Sequence, residues 1–253
     1  MSTILLKEDL KTTLLNKAQK ILMEVSDYYF SLTGKRIKEP PQLHISPLGP
    51  KYMYRSNEIW LKKDSVDEVT VAHEFAHAVQ AELYLDEMKI KRELYPLNKF
   101  SAEGNVEQGS ALFFESAFLN RKRRGNGTVY NIIYDMNALA RASSQSVTMQ
   151  SFFEGVKNTY KFAMSLELNP KYLHAWPDPE GTEFGCGIVT LLYMHQGFKI
   201  DRAVRRIVQP SFRIFRQAEN TVRNPYNRSI FEKRFEELKS KLGLDTAILT
   251  DYT

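Results

Sequence analysis

Two histidines four residues apart, with a glutamate directly after the first, form the segment best suited to chemistry: His73-Glu74-Phe75-Ala76-His77. On a helix, positions i and i+4 share a face, so both imidazoles can aim at one divalent ion while Glu74 emerges beside it, within reach of a water molecule. The chain has only 5 histidines, and chance gives such a pair with its glutamate on the order of 0.01 times per sequence of this composition. The neighbours Val69, Ala72, Phe75 and Ala76 are apolar. They bury this face, where two histidines without a ligand would need separate explanation. A catalytic metal site also needs a third protein ligand and an open position. Position 83, ten residues after His73, is Leu, so a third histidine at that spacing is excluded and a carboxylate is required. The segment Ser101-Ala-Glu-Gly-Asn-Val-Glu-Gln-Gly-Ser-Ala-Leu-Phe-Phe-Glu115 offers Glu103, Glu107 and Glu115.

With these residues the chain resembles the gluzincin metallopeptidases, in which an HExxH helix is followed by a second helix that gives a glutamate ligand. Glu103-Gly-Asn-Val-Glu107 is similar to the family's E-x-x-x-D arrangement, and Glu103-Gly104 to its shorter E-G-x-A form, with Val106 where alanine is usual. The resemblance covers about residues 56–118. It implies one Zn²⁺ per chain held by His73, His77 and Glu103, with Glu107 one turn on orienting a histidine. Glutamate stands at 107 where Asp or Asn is commoner, which leaves the roles of Glu103 and Glu107 exchangeable. The activity implied is hydrolysis of peptide or protein substrates. Zinc lowers the pKa of its water to about 7 and polarises the scissile carbonyl, while Glu74 takes the proton and passes it to the leaving amine. Such enzymes usually add an oxyanion stabiliser, for which residue type alone offers Tyr193, His195 and His174. The segment Phe184 to Gly197 also resembles the late helix-plus-glycine region of some HExxH proteins.

These side chains need elements to position them. Apolar residues at helical spacing from Ile4 to about Leu32 predict a long amphipathic helix stopped at Gly34. Two strands follow, Leu43 to Ser46 and Glu58 to Lys62; the second reads either as an edge strand that pairs with an extended substrate or as an ordinary core strand. Ser65-Val-Asp-Glu68 has capping-box spacing and predicts that the HExxH helix starts near Val66 and runs to about Leu85. A second apolar helix spans Phe100 to about Leu119. Gly104 and Gly109 inside it each cost about 1 kcal/mol against alanine. Close approach to the helix of His73 and His77 would compensate. Later helices are predicted at Val129 to Ala142, Val147 to about Leu166, Thr182 to Gln196, Asp201 to Val208 and Ser229 to Leu242, with an irregular, proline-rich stretch over Asn169 to Gly181. The expected fold is mainly α with a small β-sheet (α+β), zincin-like, with an N-terminal lobe over residues 1–125, a helical C-terminal lobe over 126–253, and the cleft between them.

Composition narrows the alternatives. With 253 residues, 43% hydrophobic and 26% charged, the chain can bury a core and is not disordered. Apolar stretches such as 187–194 fall far short of a membrane span, and the N-terminus meets charge before a signal-like run develops. One cysteine, Cys186, allows neither a disulfide scaffold nor a cysteine-based zinc fold, so a reducing, cytoplasmic home is expected. The net charge of +5, the run Arg121 to Arg124 and the arginines at 202, 205, 206, 213 and 216 would suit an anionic partner. Neither run is interleaved with a reading motif, so nucleic acid is not the expected partner. The competing reading is a non-catalytic binding module stabilised by a metal, with protein or, through the arginines, nucleic acid as its partner. Glu74 argues against it, because a structural site needs no base and closes its fourth position.

Overall fold

The computed structural model describes residues 2–96, 101–124 and 182–241. The chain opens with helix α1 (Ser2–Thr33). Its buried side is the predicted apolar stripe, with Ala18, Ile21, Leu22, Val25, Tyr28, Tyr29 and Leu32 in the core. Gly34 ends it as expected: its φ of +71° suits a residue without a Cβ, and its N–H bonds the Phe30 carbonyl at 2.8 Å.

Three strands follow: β1 (Gln42–Ile45), β2 (Lys51–Met53) and β3 (Glu58–Leu61). β3 lies in the middle, parallel to β1 (Leu43 opposite Ile59) and antiparallel to β2 (Tyr52 opposite Ile59). Of the two readings of the 58–62 segment, the core strand is the one observed, since both its edges are already paired. Ile59 and Leu61 point into the core with no exposed surface. β2 is an additional short edge strand, absent from the sequence reading because it follows Pro47, Gly49 and Pro50 directly.

The HExxH helix is α2 (Glu68–Met88). Its start corrects the predicted cap. Ser65 belongs to a preceding 3₁₀ turn (Lys63–Ser65), where its Oγ accepts from the Lys62 N–H at 2.9 Å. Asp67 is the actual N-cap, its carboxylate accepting from the Thr70 N–H at 2.8 Å. The helix ends at Lys89 in the left-handed region. Phe75 is wholly enclosed between Tyr29 and Phe114, and truncation of so buried a phenylalanine costs about 3–5 kcal/mol.

Helix α3 (Ser101–Arg124) packs against α2 on one side and against α4 (Thr182–His195) on another. Three further helices, α5 (Ile200–Ile207), α6 (Ser211–Arg223) and α7 (Pro225–Lys241), complete the described part. The described residues are thus mainly helical with one small three-stranded sheet, an α+β arrangement. The predicted helices at 129–142 and 147–166 and the irregular stretch 169–181 lie outside the described residues. No helix among the described residues is long and apolar enough to cross a membrane.

The glycines of α3 do something other than predicted. A Cβ at Gly109 would overlap the backbone of Gly185 and Cys186, and one at Gly185 would overlap the carbonyl of Asn105. The close approach is therefore between α3 and α4, not between α3 and α2. At Gly104 an added Cβ would meet nothing within 4 Å among the described residues.

Three of the basic residues singled out above have local partners. Arg205 donates to the Leu32 carbonyl at the end of α1 (2.8 Å), Arg213 pairs with Glu87, and Lys122 bridges Glu24 and Glu68.

Candidate metal centre

His73 and His77 lie one turn apart on α2, and the helix brings their rings to one point: the two Nε2 atoms are 3.3 Å apart. Two imidazole nitrogens on one tetrahedral ion, each about 2.0–2.1 Å from it, would be separated by about 3.3–3.4 Å. The spacing therefore fits a shared ion.

Each ring is anchored through its other nitrogen. His73 Nδ1 lies 3.0 Å from Glu115 Oε2, on α3. His77 Nδ1 lies 3.0 Å from Gln80 Oε1 and 3.3 Å from the Tyr54 hydroxyl. A neutral imidazole carries one N–H, and acceptors at Nδ1 place it there, leaving the lone pair on Nε2 where a metal takes it. Gln108 Oε1 is also 3.0 Å from His73 Nε2, so a proton on that nitrogen has an acceptor as well.

Charge around His73 is tightly coupled. Burial disfavours its imidazolium, but the hydrogen bond and charge of Glu115 outweigh this and raise its pKa. Glu115 is only 1% exposed, and burial likewise raises its pKa, against the pull of His73. The pair thus keeps its shared proton to a higher pH than a lone imidazole would. Glu115 Oε1 is buried with no hydrogen-bond partner among the described residues.

Glu74 is 6% exposed and has a raised pKa, chiefly from burial, with the His73 charge and the Tyr52 backbone N–H of β2 working against the rise. A carboxyl lifted in this way is better matched to proton transfer near neutrality than a solvated one.

The remaining predicted site residues fall in several places. Glu107 is 2% exposed, and its carboxylate accepts from the Tyr54 hydroxyl, behind His77. The side chain of Glu103 and the whole of His174 lie outside the described residues. Tyr193 is fully buried on α4, its ring against Phe113 and Phe198 and its hydroxyl without a hydrogen-bond partner among the described residues. His195 ends α4, with Nδ1 3.2 Å from the Gln196 amide. The structure thus brings His73, Glu74 and His77 together with Glu115, and neither Tyr193 nor His195 hydrogen-bonds to them. Among the described residues, no set of three His, Cys, Asp or Glu side chains is grouped closely enough to hold a metal. A site on this pair therefore needs a ligand from elsewhere.

Gln80, Gln108 and Tyr54 are the residues that sequence reasoning missed. Gln80 carried a signal, since it lies three residues after His77 on the same helical face. Tyr54 and Gln108 reach the site only through tertiary packing. Among known proteins, the chain matches no family model, no curated sequence and no solved structure.

Proposed function

We propose that the chain is a zinc-dependent metallopeptidase of zincin-like architecture, hydrolysing peptide or protein substrates with Glu74 as general base. The observation that carries this reading is the convergence of the two Nε2 atoms at 3.3 Å, with each Nδ1 held by an oxygen acceptor from outside the pair. The donor set suits zinc, for which imidazole nitrogen with carboxylate oxygen is a common combination. His73 and His77 supply two ligands, and Glu103 is the residue proposed for the third. Bound there, zinc would polarise a substrate carbonyl and acidify a water beside it.

The rest is the work of this chain's own groups. Glu74, buried beside His73, accepts a proton from the attacking water and hands it to the leaving amine. Glu115 keeps the His73 ring oriented through Nδ1. A lone carboxylate packed as deeply as Glu115 costs desolvation, and the His73 N–H offsets it.

The reading is tested by peptide cleavage in the purified chain before and after chelation, beside Glu74→Gln. The expected outcome is zinc near one per chain in both proteins, with cleavage lost on chelation and lost in the variant. Wild-type cleavage that survives chelation overturns the metal; equal cleavage by both proteins overturns the base.

A further inference from the structure

We infer that Gln80 is a positioning residue that locks His77 in the tautomer with hydrogen on Nδ1, so that Nε2 is held ready for an ion; the link to zinc rests on the proposed metallopeptidase reading.

Gln80 has no exposed surface. An amide side chain presents an oxygen that only accepts and a nitrogen that only donates, so its neighbours decide which end faces which way. Gln80 Nε2 faces two backbone carbonyls, Glu107 on α3 at 3.5 Å and Gln209 in the turn between α5 and α6 at 3.4 Å. Carbonyls cannot donate. The nitrogen must therefore point at them, and the oxygen must point at His77 Nδ1, 3.0 Å away.

The other neighbour of that nitrogen imposes the same answer. The Tyr54 hydroxyl gives its hydrogen to Glu107, which leaves its oxygen to accept from His77 Nδ1 at 3.3 Å. Two acceptors thus meet Nδ1, and the hydrogen belongs there. The turn that receives Gln80 is itself fastened to α3, where Ser110 Oγ donates to the Ile207 carbonyl at 2.7 Å. One amide therefore ties the His77 ring to α3 and to the late helices at once.

Nitrogen-15 NMR of the imidazoles in the metal-free chain reads the tautomer directly, and competition with a chromophoric chelator reads the dissociation constant for Zn²⁺ alone. Wild type is expected to show His77 as the Nδ1–H form. Gln80→Met, similar in volume but without the amide, leaves at Nδ1 only the longer contact to the Tyr54 hydroxyl, which can donate as well as accept, so it should mix the tautomers and weaken zinc about 10- to 100-fold, the usual loss when a ligand's hydrogen-bond partner is removed. Gln80→Glu keeps an acceptor at Nδ1 and loses both carbonyl contacts, so it should retain the tautomer even if it is less stable. A His77 in the Nε2–H form in wild type, which needs no variant to detect, overturns the inference; so does an unchanged tautomer in Gln80→Met. A wild type that shows the Nδ1–H form but binds no zinc upholds the role of Gln80 and removes the metallopeptidase reading instead.

Discussion

Toward α2, helix α3 presents Glu107, Gln108 and Glu115; toward α4, it presents Gly109. The first side is polar, with Glu107 and Glu115 buried and Gln108 exposed, and it is stable because its buried groups find partners: Glu115 takes the His73 N–H, and Glu107 takes the Tyr54 hydroxyl. The second has almost no side chain at its crossing point, and Gly109 lets the α3 backbone lie directly against Gly185. Chemistry and close packing thus occupy different stripes of one helix. A glycine inside a helix does not by itself mark the reactive face.

The largest way to break this arrangement is on the α4 side. Gly185→Val places side-chain atoms where the Asn105 carbonyl lies, and neither backbone can give without moving a helix. Overpacking typically costs about 1–3 kcal/mol and occasionally more, and a clash with backbone on both sides belongs at the upper end. Chemical denaturation is expected to register that loss, whereas a midpoint close to wild type would mean that the helices separate easily.

On the α2 side, Glu115→Ala strands a buried imidazole N–H, a loss of about 1–3 kcal/mol. Zinc should also bind about 10- to 100-fold more weakly. Stability and zinc affinity falling together, in denaturation and chelator competition, would sharpen the contrast with Gly185→Val, which disturbs packing first. Unchanged zinc affinity in the Glu115→Ala variant would detach Glu115 from the site.

A pH series probes the same polar side. His73, Glu74 and Glu115 all have raised pKa values in the folded, metal-free chain. A group raised on folding contributes stability that is complete below its unfolded pKa and is lost as pH climbs through its folded pKa. The metal-free protein should therefore lose thermal stability as pH rises from about 5 to about 8, over which the unfolded groups are already giving up protons. Zinc affinity should rise over the same range, because the ion needs Nε2 without its proton. Glu115→Gln should flatten the stability trend, and a wild-type melting temperature that climbs instead would contradict it.

The smallest effect belongs to Gly104, which precedes the Asn105 at the α4 crossing yet has nothing among the described residues within reach of an added methyl. Gly104→Ala should stabilise the chain by about 1 kcal/mol through helix propensity alone. A destabilised variant would show that this stretch of α3 is in closer contact than the structure describes.

The contrast between the two stripes also explains what was legible in the sequence. His73, Glu74 and His77 could be read because i and i+4 share a helical face whatever the fold does around them. The long α1 and its glycine stop were legible for the same local reason. The cap of α2 was misread because Ser65 and Asp67 are both capable caps, and a 3₁₀ turn used the serine first. α6 was missed because its N-cap is Pro210, which offers no side-chain cap. Glu115 stood on a promising stripe, yet only the packing of α3 on α2, across 42 residues of sequence, gives it His73 as a partner. Which stripe of α3 would meet α4 depended on Gly185, some 76 positions after Gly109, and no local pattern encodes that meeting.

In the proposed site, His73 and His77 grip one ion through Nε2 while their Nδ1 atoms stay with Glu115 and Gln80. An anomalous difference map from a zinc-soaked crystal tests it most directly. The expected result is a single strong peak about 2.0–2.1 Å from both Nε2 atoms, with a carboxylate oxygen from α3 completing the protein ligands. A map with no peak between the two rings, or with the ion on an Nδ1 atom, would contradict it.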